Sequence, residues 1–242
     1  MTKLSVNLNK FALIRNARGT DFPNLKWMGQ RAIAAGVHGL TVHPRPDQRH
    51  IRYDDVPVLG GLCGEHPGVE FNIEGNPEAE FMDLVLATPP DQCTLVPDDP
   101  NQLTSDHGWR LDGDNRVLME KISRLKDAGI RVSLFMDPDP EQIARVPATG
   151  ADRIELYTES YARAYGTGEQ SRSVESYRVA AQAALDCGLG VNAGHDLNLD
   201  NLAVFLEIVP NVLEVSIGHA IVVESFDQGF EKTLGRYLEI VG

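Results

Sequence analysis

Residues 68–98 read "GVEFNIEGNPEAEFMDLVLATPPDQCTLVPD". The flanks, "GVEFNIEG" (68–75) and "QCTLVPD" (92–98), are short apolar runs bounded by turn residues, as strands are. Between them, "NPEAEFMDLVLATPP" opens on Asn76 as a candidate cap. Pro77 stands in the first turn and acids follow, so the segment reads as a helix. Strand, helix and strand make one crossover unit, which implies a parallel pair.

The same rhythm extends in both directions. Strand-like runs recur at "KLSVNLN" (3–9), "GLTVHPR" (39–45), "RVSLFMD" (131–137), "DRIELYT" (152–158), "GLGVNAGH" (188–195) and "LEVSIGHA" (213–220). Several are apolar at consecutive positions, as expected of strands buried on both faces. Helical segments lie between them and stop at Gly36, Gly129, Gly150 and Gly188. The spacing averages about 30 residues, one βα unit. Eight such units predict closure into an α/β (β/α)8 TIM barrel formed as a single domain over residues 1–242. The second unit (52–66, with Pro57 and paired glycines) and the fourth are the weakest. The fourth carries a polar stretch, residues 98–114, long enough to be a lid or binding loop. A doubly wound open sheet is the alternative, but no G-x-G-x-x-G follows the first strand.

Composition narrows the class. Of 242 residues, 42% are hydrophobic and 24% charged, enough for a sizeable core. A net charge of -13 argues against general binding to nucleic acid or an anionic membrane, while leaving room for a local anion pocket. Cys63, Cys93 and Cys187 are widely spaced, which predicts reduced thiols in a cytoplasmic protein. The start of the chain lacks a signal-peptide apolar core, and no apolar run approaches a membrane span.

In such a barrel the chemistry gathers at the C-terminal strand ends. Those ends carry Asn7, Asn9 and Lys10, then His43, Arg45, Arg49 and His50. They continue with Asn72 and Glu74, Glu155 and Thr158, Asn192 and His195, and finally Gly218 and His219. Four of the seven histidines fall just after a strand, where burial is costly unless they are paired or functional. Each residue also has a structural reading. His43 suits a satisfied core histidine, and Glu74 a salt bridge to Arg45. Arg49 suits a surface pair with Asp47 or Asp54. Against this, three bases in one loop repel one another unless an anion joins them. Glu155 lies between Ile154 and Leu156, so alternation turns it toward the lumen. Glycines in "NAGHDLN" and "IGHAIVVE", with a helix start behind them, suit a phosphate. Arg45, His50 and Arg18 supply cations for a second anion site. Two carboxylates and two histidines between two anion sites suit several proton transfers. Metal chemistry is a minority reading because no H-E-x-x-H is present, and no G-x-S-x-G supports a serine nucleophile.

Together, "VNLNKFALIRNARG", "TVHPRPDQRHI", "FNIEGN", "TLVPD", "VSLFMDPD", "IELYT", "VNAGHDLN" and "SIGHAIV" resemble the pyridoxine 5′-phosphate synthase family of vitamin B6 biosynthesis, in order and spacing. The resemblance implies a (β/α)8 barrel with additional short helices, assembled as a homo-octamer. It implies condensation of two small phosphorylated substrates, 3-amino-2-oxopropyl phosphate and 1-deoxy-D-xylulose 5-phosphate. Inorganic phosphate and water leave, and no metal or organic cofactor takes part. Carried over, His43 and Glu74 accept protons, His195 donates one and Glu155 stabilises a cationic transition state. Asn7, Arg18, Gly218 and His219 hold the aminoketone phosphate, and Arg45, His50 and Thr104 the deoxyxylulose phosphate, with the fourth loop closing over both. Two places depart from the family pattern. Asn9-Lys10 stands where many members have Asp-His against the deoxyxylulose phosphate, and Asp196 follows His195 where many have glycine. The alternatives are a metal-dependent sugar-phosphate isomerase or epimerase on the same barrel, and a non-catalytic phosphosugar sensor.

Overall fold

A computed structural model describes residues 1–99, 102 and 104–242. Eight parallel strands close in sequence order into a barrel: β1 (Lys3–Asn7), β2 (Gly39–Val42), β3 (Glu70–Gly75), β4 (Gln92–Leu95), β5 (Arg131–Met136), β6 (Arg153–Tyr157), β7 (Gly190–Gly194) and β8 (Val212–Ile217). β1 pairs with β8, which leaves no free edge. The helices among the described residues are α1 (Asn9–Asn16), α2 (Leu25–Ala34), α3 (Asp55–Gly64), α4 (Ala79–Ala87), α5 (Arg116–Asp127), α6 (Pro140–Ile143), α7 (Glu159–Ala164), α8 (Gln170–Asp186), α9 (Leu202–Ile208), α10 (His219–Gln228) and α11 (Phe230–Val241). None is long and apolar enough to cross a membrane.

Extra helices arise where a unit carries more than one. The first strand ends at Asn7, two residues earlier than its apolar pattern predicts, and Asn9 already opens α1. The weak second unit does form a helix, α3; its Pro57 sits in the first turn, where no intrahelical N–H bond is lost. The C-terminal segment divides into α10 and α11 at Gly229, whose φ of 83° suits glycine. Asn76 does not cap α4. That helix begins at Ala79, and the Asn76 amide donates instead to the main-chain oxygen of Asp98, 2.7 Å away. A tertiary bond has taken the side chain the helix start would have used.

Alternation along each strand sorts the core. Leu4, Val6, Leu40, Val42, Phe71, Ile73, Leu134, Ile154, Leu156, Val191, Val215 and Ile217 are buried toward the helices. The other face is polar yet equally buried: Ser5, Thr41, Asn72, Gln92, Thr94, Ser133 and Asn192. Gln92 on β4 donates to Glu214 on β8 (3.4 Å) and accepts from Asn192 on β7 (3.2 Å). Those strands are not neighbours, so the bonds cross the lumen. Ser5 meets Thr41 at 2.7 Å, and Thr94 donates to Asn72 at 3.1 Å. The strands are therefore buried on both faces, as expected, but the inner face is a hydrogen-bonded polar plug rather than the usual branched apolar layers.

Candidate active site

Above this plug, at the C-terminal strand ends, lies a cavity of about 820 Å³. It brings together Asn7, Asn9, Lys10, His43, Arg45, His50, Glu74, Thr104, Glu155, His195, Asp196, Gly218 and His219. Arg18 is not among them. Helix α1 runs to Asn16, and the turn after it carries Arg18 into solvent. The buried arginine of "RNARG" is Arg15, which makes a two-pronged pair with Asp55 (2.6 and 2.9 Å) and donates to the main-chain oxygen of His50 (3.2 Å).

Glu74 is the hub. His43 Nδ1 stands 4.0 Å from its Oε2, the Asn7 amide donates to Oε2 at 3.3 Å and the Ser216 hydroxyl to Oε1 at 3.5 Å. Burial, then the nearby charges of Asp98 and Glu214, raise its pKa to about 8. Glu155, 3% exposed, is pushed well above the ordinary carboxyl range by burial and then by Glu74 and Glu214. His43 goes the other way. Burial and the positive charges of Arg45, His50, His195 and Arg49 hold its pKa well below the usual value. His50 drops to about 4 through burial, Arg45 and Arg49. At neutral pH the site therefore sets a protonated carboxyl beside a neutral imidazole. Acid–base chemistry uses groups whose environments have been driven apart in this way.

The second histidine lies across the cavity. His195 and Asp196 both adopt left-handed backbone, with φ of 80° and 57°. For residues with a Cβ this is uncommon, and two in a row is a strained turn. Thr158 donates to the main-chain oxygen of His195, and the Asn201 amide to that of Asp196 (3.2 Å). The His195 ring packs edge-on against Tyr157 and Phe135, with centroids 5.1 and 6.2 Å away. Its Nδ1 is 3.5 Å from Asp196 Oδ2, and its Nε2 is 3.4 Å from Thr104 Oγ1. The pairing holds the Asp196 carboxyl below its ordinary pKa.

Asn9 has a structural task. Its Oδ1 accepts the main-chain N–H of His43 at 2.9 Å, so it fixes the end of β2 to the start of α1. Gly218 precedes α10, and a Cβ there would lie 2.9 Å from the main-chain oxygen of Asn7. The glycine thus lets two backbones approach at the helix start, where N–H groups suit an anion. Arg49 pairs with Asp47 at 2.7 Å, and Arg45 pairs with Asp98 rather than Glu74.

Sequence reasoning passed over Phe135, Tyr157, Ser216 and Asp98. The first two follow from alternation on β5 and β6 once the lumen face is known. Asp98 lies in the loop beyond β4, and only its pairing with Arg45 from the loop after β2 marks it as part of the site.

The family model described as "Pyridoxal phosphate biosynthesis protein PdxJ" matches residues 4–242. A relative from Albidiferax ferrireducens named pyridoxine 5′-phosphate synthase is 50% identical over 245 residues, covering 99% of this chain and 97% of its own. One of the same name from Xanthomonas campestris pv. campestris (strain B100) is 53% identical over 247 residues, covering 99% and 96%. Among solved structures, 3-keto-L-gulonate-6-phosphate decarboxylase from Vibrio cholerae superposes with a TM-score of 0.64 at 9% identity, covering 99% of this chain and 97% of that one. TrpF from Jonesia denitrificans gives 0.64 at 12%, covering 100% and 97%. These two likenesses speak for the barrel alone. On the match along its length and the close relatives, the chain belongs to the PdxJ family of pyridoxal phosphate biosynthesis proteins.

Proposed function

We propose that this chain acts as a pyridoxine 5′-phosphate synthase, with its strand-end residues dividing the work of one ring-closing condensation. The amine of 3-amino-2-oxopropyl phosphate and the ketone of 1-deoxy-D-xylulose 5-phosphate form an imine. Water and inorganic phosphate leave, a ring closes and the product aromatises. Each step moves a proton. The observation that carries the reading is the single cavity in which Glu74 and His43, 4.0 Å apart, face Glu155 and His195. Glu74 and His43 take protons and His195 gives one. Glu155 offsets positive charge when it is ionised. Asn7, Gly218 and His219, at the start of α10, hold the aminoketone phosphate. Arg45, His50, Lys10 and Thr104 hold the deoxyxylulose phosphate. Asn9 contributes by holding His43, and Asp196 by its main-chain N–H. Arg18, exposed outside this cavity, receives no role within it.

Family membership favours this reading over the isomerase and the sensor. Incubating the protein with both phosphates should yield pyridoxine 5′-phosphate and one inorganic phosphate per turnover. Folded protein giving neither would overturn it.

The proposed setting is cytoplasmic and the proposed assembly a homo-octamer. Apolar side chains exposed along α1 and α10, Ile14, Val223 and Phe226, support self-association. Sedimentation equilibrium tests it, and a monomer at micromolar concentration would refute it.

A further inference from the structure

Asp98 belongs to no part of the mechanism above, yet three loops meet on it. It is 3% exposed and forms an ion pair with Arg45, itself 4% exposed, on the loop after β2. The Ser105 hydroxyl, farther along the β4–α5 loop, donates to the same carboxylate oxygen at 2.7 Å. Asn76, just after β3, donates to the Asp98 main-chain oxygen at 2.7 Å. Arg45 uses another guanidinium nitrogen to reach the main-chain oxygen of Gln102 at 3.1 Å. A buried ion pair gives little net stability, because desolvation offsets the attraction. What it supplies is a fixed direction. A guanidinium held at one nitrogen by the Asp98 carboxylate and at another by the Gln102 main-chain oxygen presents its remaining donors in one orientation.

We infer that Asp98 is a positioning residue: it aims the Arg45 guanidinium at the deoxyxylulose phosphate and fastens the root of the β4–α5 loop to the loop after β2. The inference rests on the proposed roles of Arg45 and Glu74. It also has an electrostatic consequence. Glu74 faces Asn7 from β1, His43 and Arg45 from the loop after β2, Glu155 from β6, and Glu214 and Ser216 from β8. Among these charges and Asp98, Asp98 does most, after burial, to keep the Glu74 carboxyl protonated. A single side chain therefore both aims the phosphate-binding arginine and adds to the burial that keeps the proposed base protonated.

The test is Asp98→Asn in the full chain, with kcat/KM measured across pH at saturating 3-amino-2-oxopropyl phosphate. KM for 1-deoxy-D-xylulose 5-phosphate should rise on the order of tenfold as Arg45 loses its aim, with KM for the aminoketone little changed. The acid limb should move to lower pH, because a like charge beside Glu74 is gone. Asp98→Glu should return the limb toward its original place. Ser105→Ala, which keeps every charge, should raise KM for the deoxyxylulose phosphate roughly threefold and leave the limb in place. It serves if Asp98→Asn does not fold. An unmoved limb in folded Asp98→Asn, or an unchanged KM in Ser105→Ala, would overturn the inference. Glu74→Gln separates the failures. If it remains active, the assignment of the base is wrong. If it is inactive while Asp98→Asn behaves as wild type, only the role of Asp98 falls.

Discussion

Thr158 donates its hydroxyl to the main-chain oxygen of His195 and its own N–H to Gly194, 3.0 Å away. It is fully buried and clamps the start of a left-handed pair of residues that would otherwise relax. Backbone held in this region costs about 1–3 kcal/mol and persists only when its surroundings enforce it. Thr158→Val keeps the shape and loses the donor. It should lower kcat by on the order of tenfold as His195 drifts, and cost about 1–3 kcal/mol for the stranded carbonyl. Thr158→Ser should recover most of both. Steady-state kinetics paired with urea denaturation would read the two effects separately.

The Glu74 carboxyl gives a pH dependence with a definite sign. As a base it must be ionised, and its pKa in the free protein is about 8. The kcat/KM profile should therefore rise with pH toward a midpoint near 8. His43, held well below its ordinary value, is already neutral across that range and adds no limb there. Glu74→Gln keeps the hydrogen-bonding outline and removes the base, so turnover should fall by roughly a hundredfold or more. A profile flat from pH 6 to 9 would contradict the assignment.

The barrel was legible because its signals are local. Gly36, Gly129 and Gly188 sit at positive φ just after α2, α5 and α8, as their stop positions predict, whereas Gly150, also at positive φ, closes a separate 3-10 turn (Val146–Thr149) because the helix begun at Pro140 already ends at Ile143. The polar lumen was not legible. Alternation shows that Gln92 and Cys93 face opposite ways, but only closure decides which face meets itself. Most of the strand-end residues converge on one cavity because topology, not local conformation, places them there. Arg15 and Arg18 are separated by the phase and length of α1, which the pattern "RNARG" does not reveal. Asp98, within "PDDP", reads as a solvated acidic turn until Arg45 is found beside it.

Arg15 and Asp55 join α1 to α3 and hold the loop that carries His50. Asp55→Ala leaves a guanidinium buried without its partner. The expected loss is about 3 kcal/mol, the low end for a broken buried pair because Asp55 is partly exposed. Replacing both, as Arg15→Met with Asp55→Leu, should recover much of that loss. Urea midpoints of the three proteins would check it, and a loss under about 0.5 kcal/mol in Asp55→Ala would place the pair among ordinary surface bridges.

The buried carboxyls should make stability fall as pH rises from their unfolded values through their folded ones, and Glu214, with a window from 4.5 to about 7, is the place to test it. It is 2% exposed, donates nothing when ionised and receives one long bond from Gln92. Burial, then the charge of Glu70, raises its pKa from 4.5 to about 7, with Arg153, Arg131 and Lys3 pulling the other way. Glu74 and Glu155 are raised too. Between the unfolded value and these folded values, the folded chain holds protons that the unfolded chain has released, so stability declines with rising pH. His43 and His50 act oppositely: their folded values lie below the unfolded 6.5, so their contribution is complete above about pH 7 and is lost as pH falls. From pH 7 to 8.5 the carboxyls alone set the slope within this group. Glu214→Gln should unfold at a higher urea concentration than wild type at pH 8.5, and the two should converge as pH falls through 7 toward the unfolded value of 4.5. Parallel curves at every pH would show that Glu214 binds its proton equally in the folded and unfolded chains.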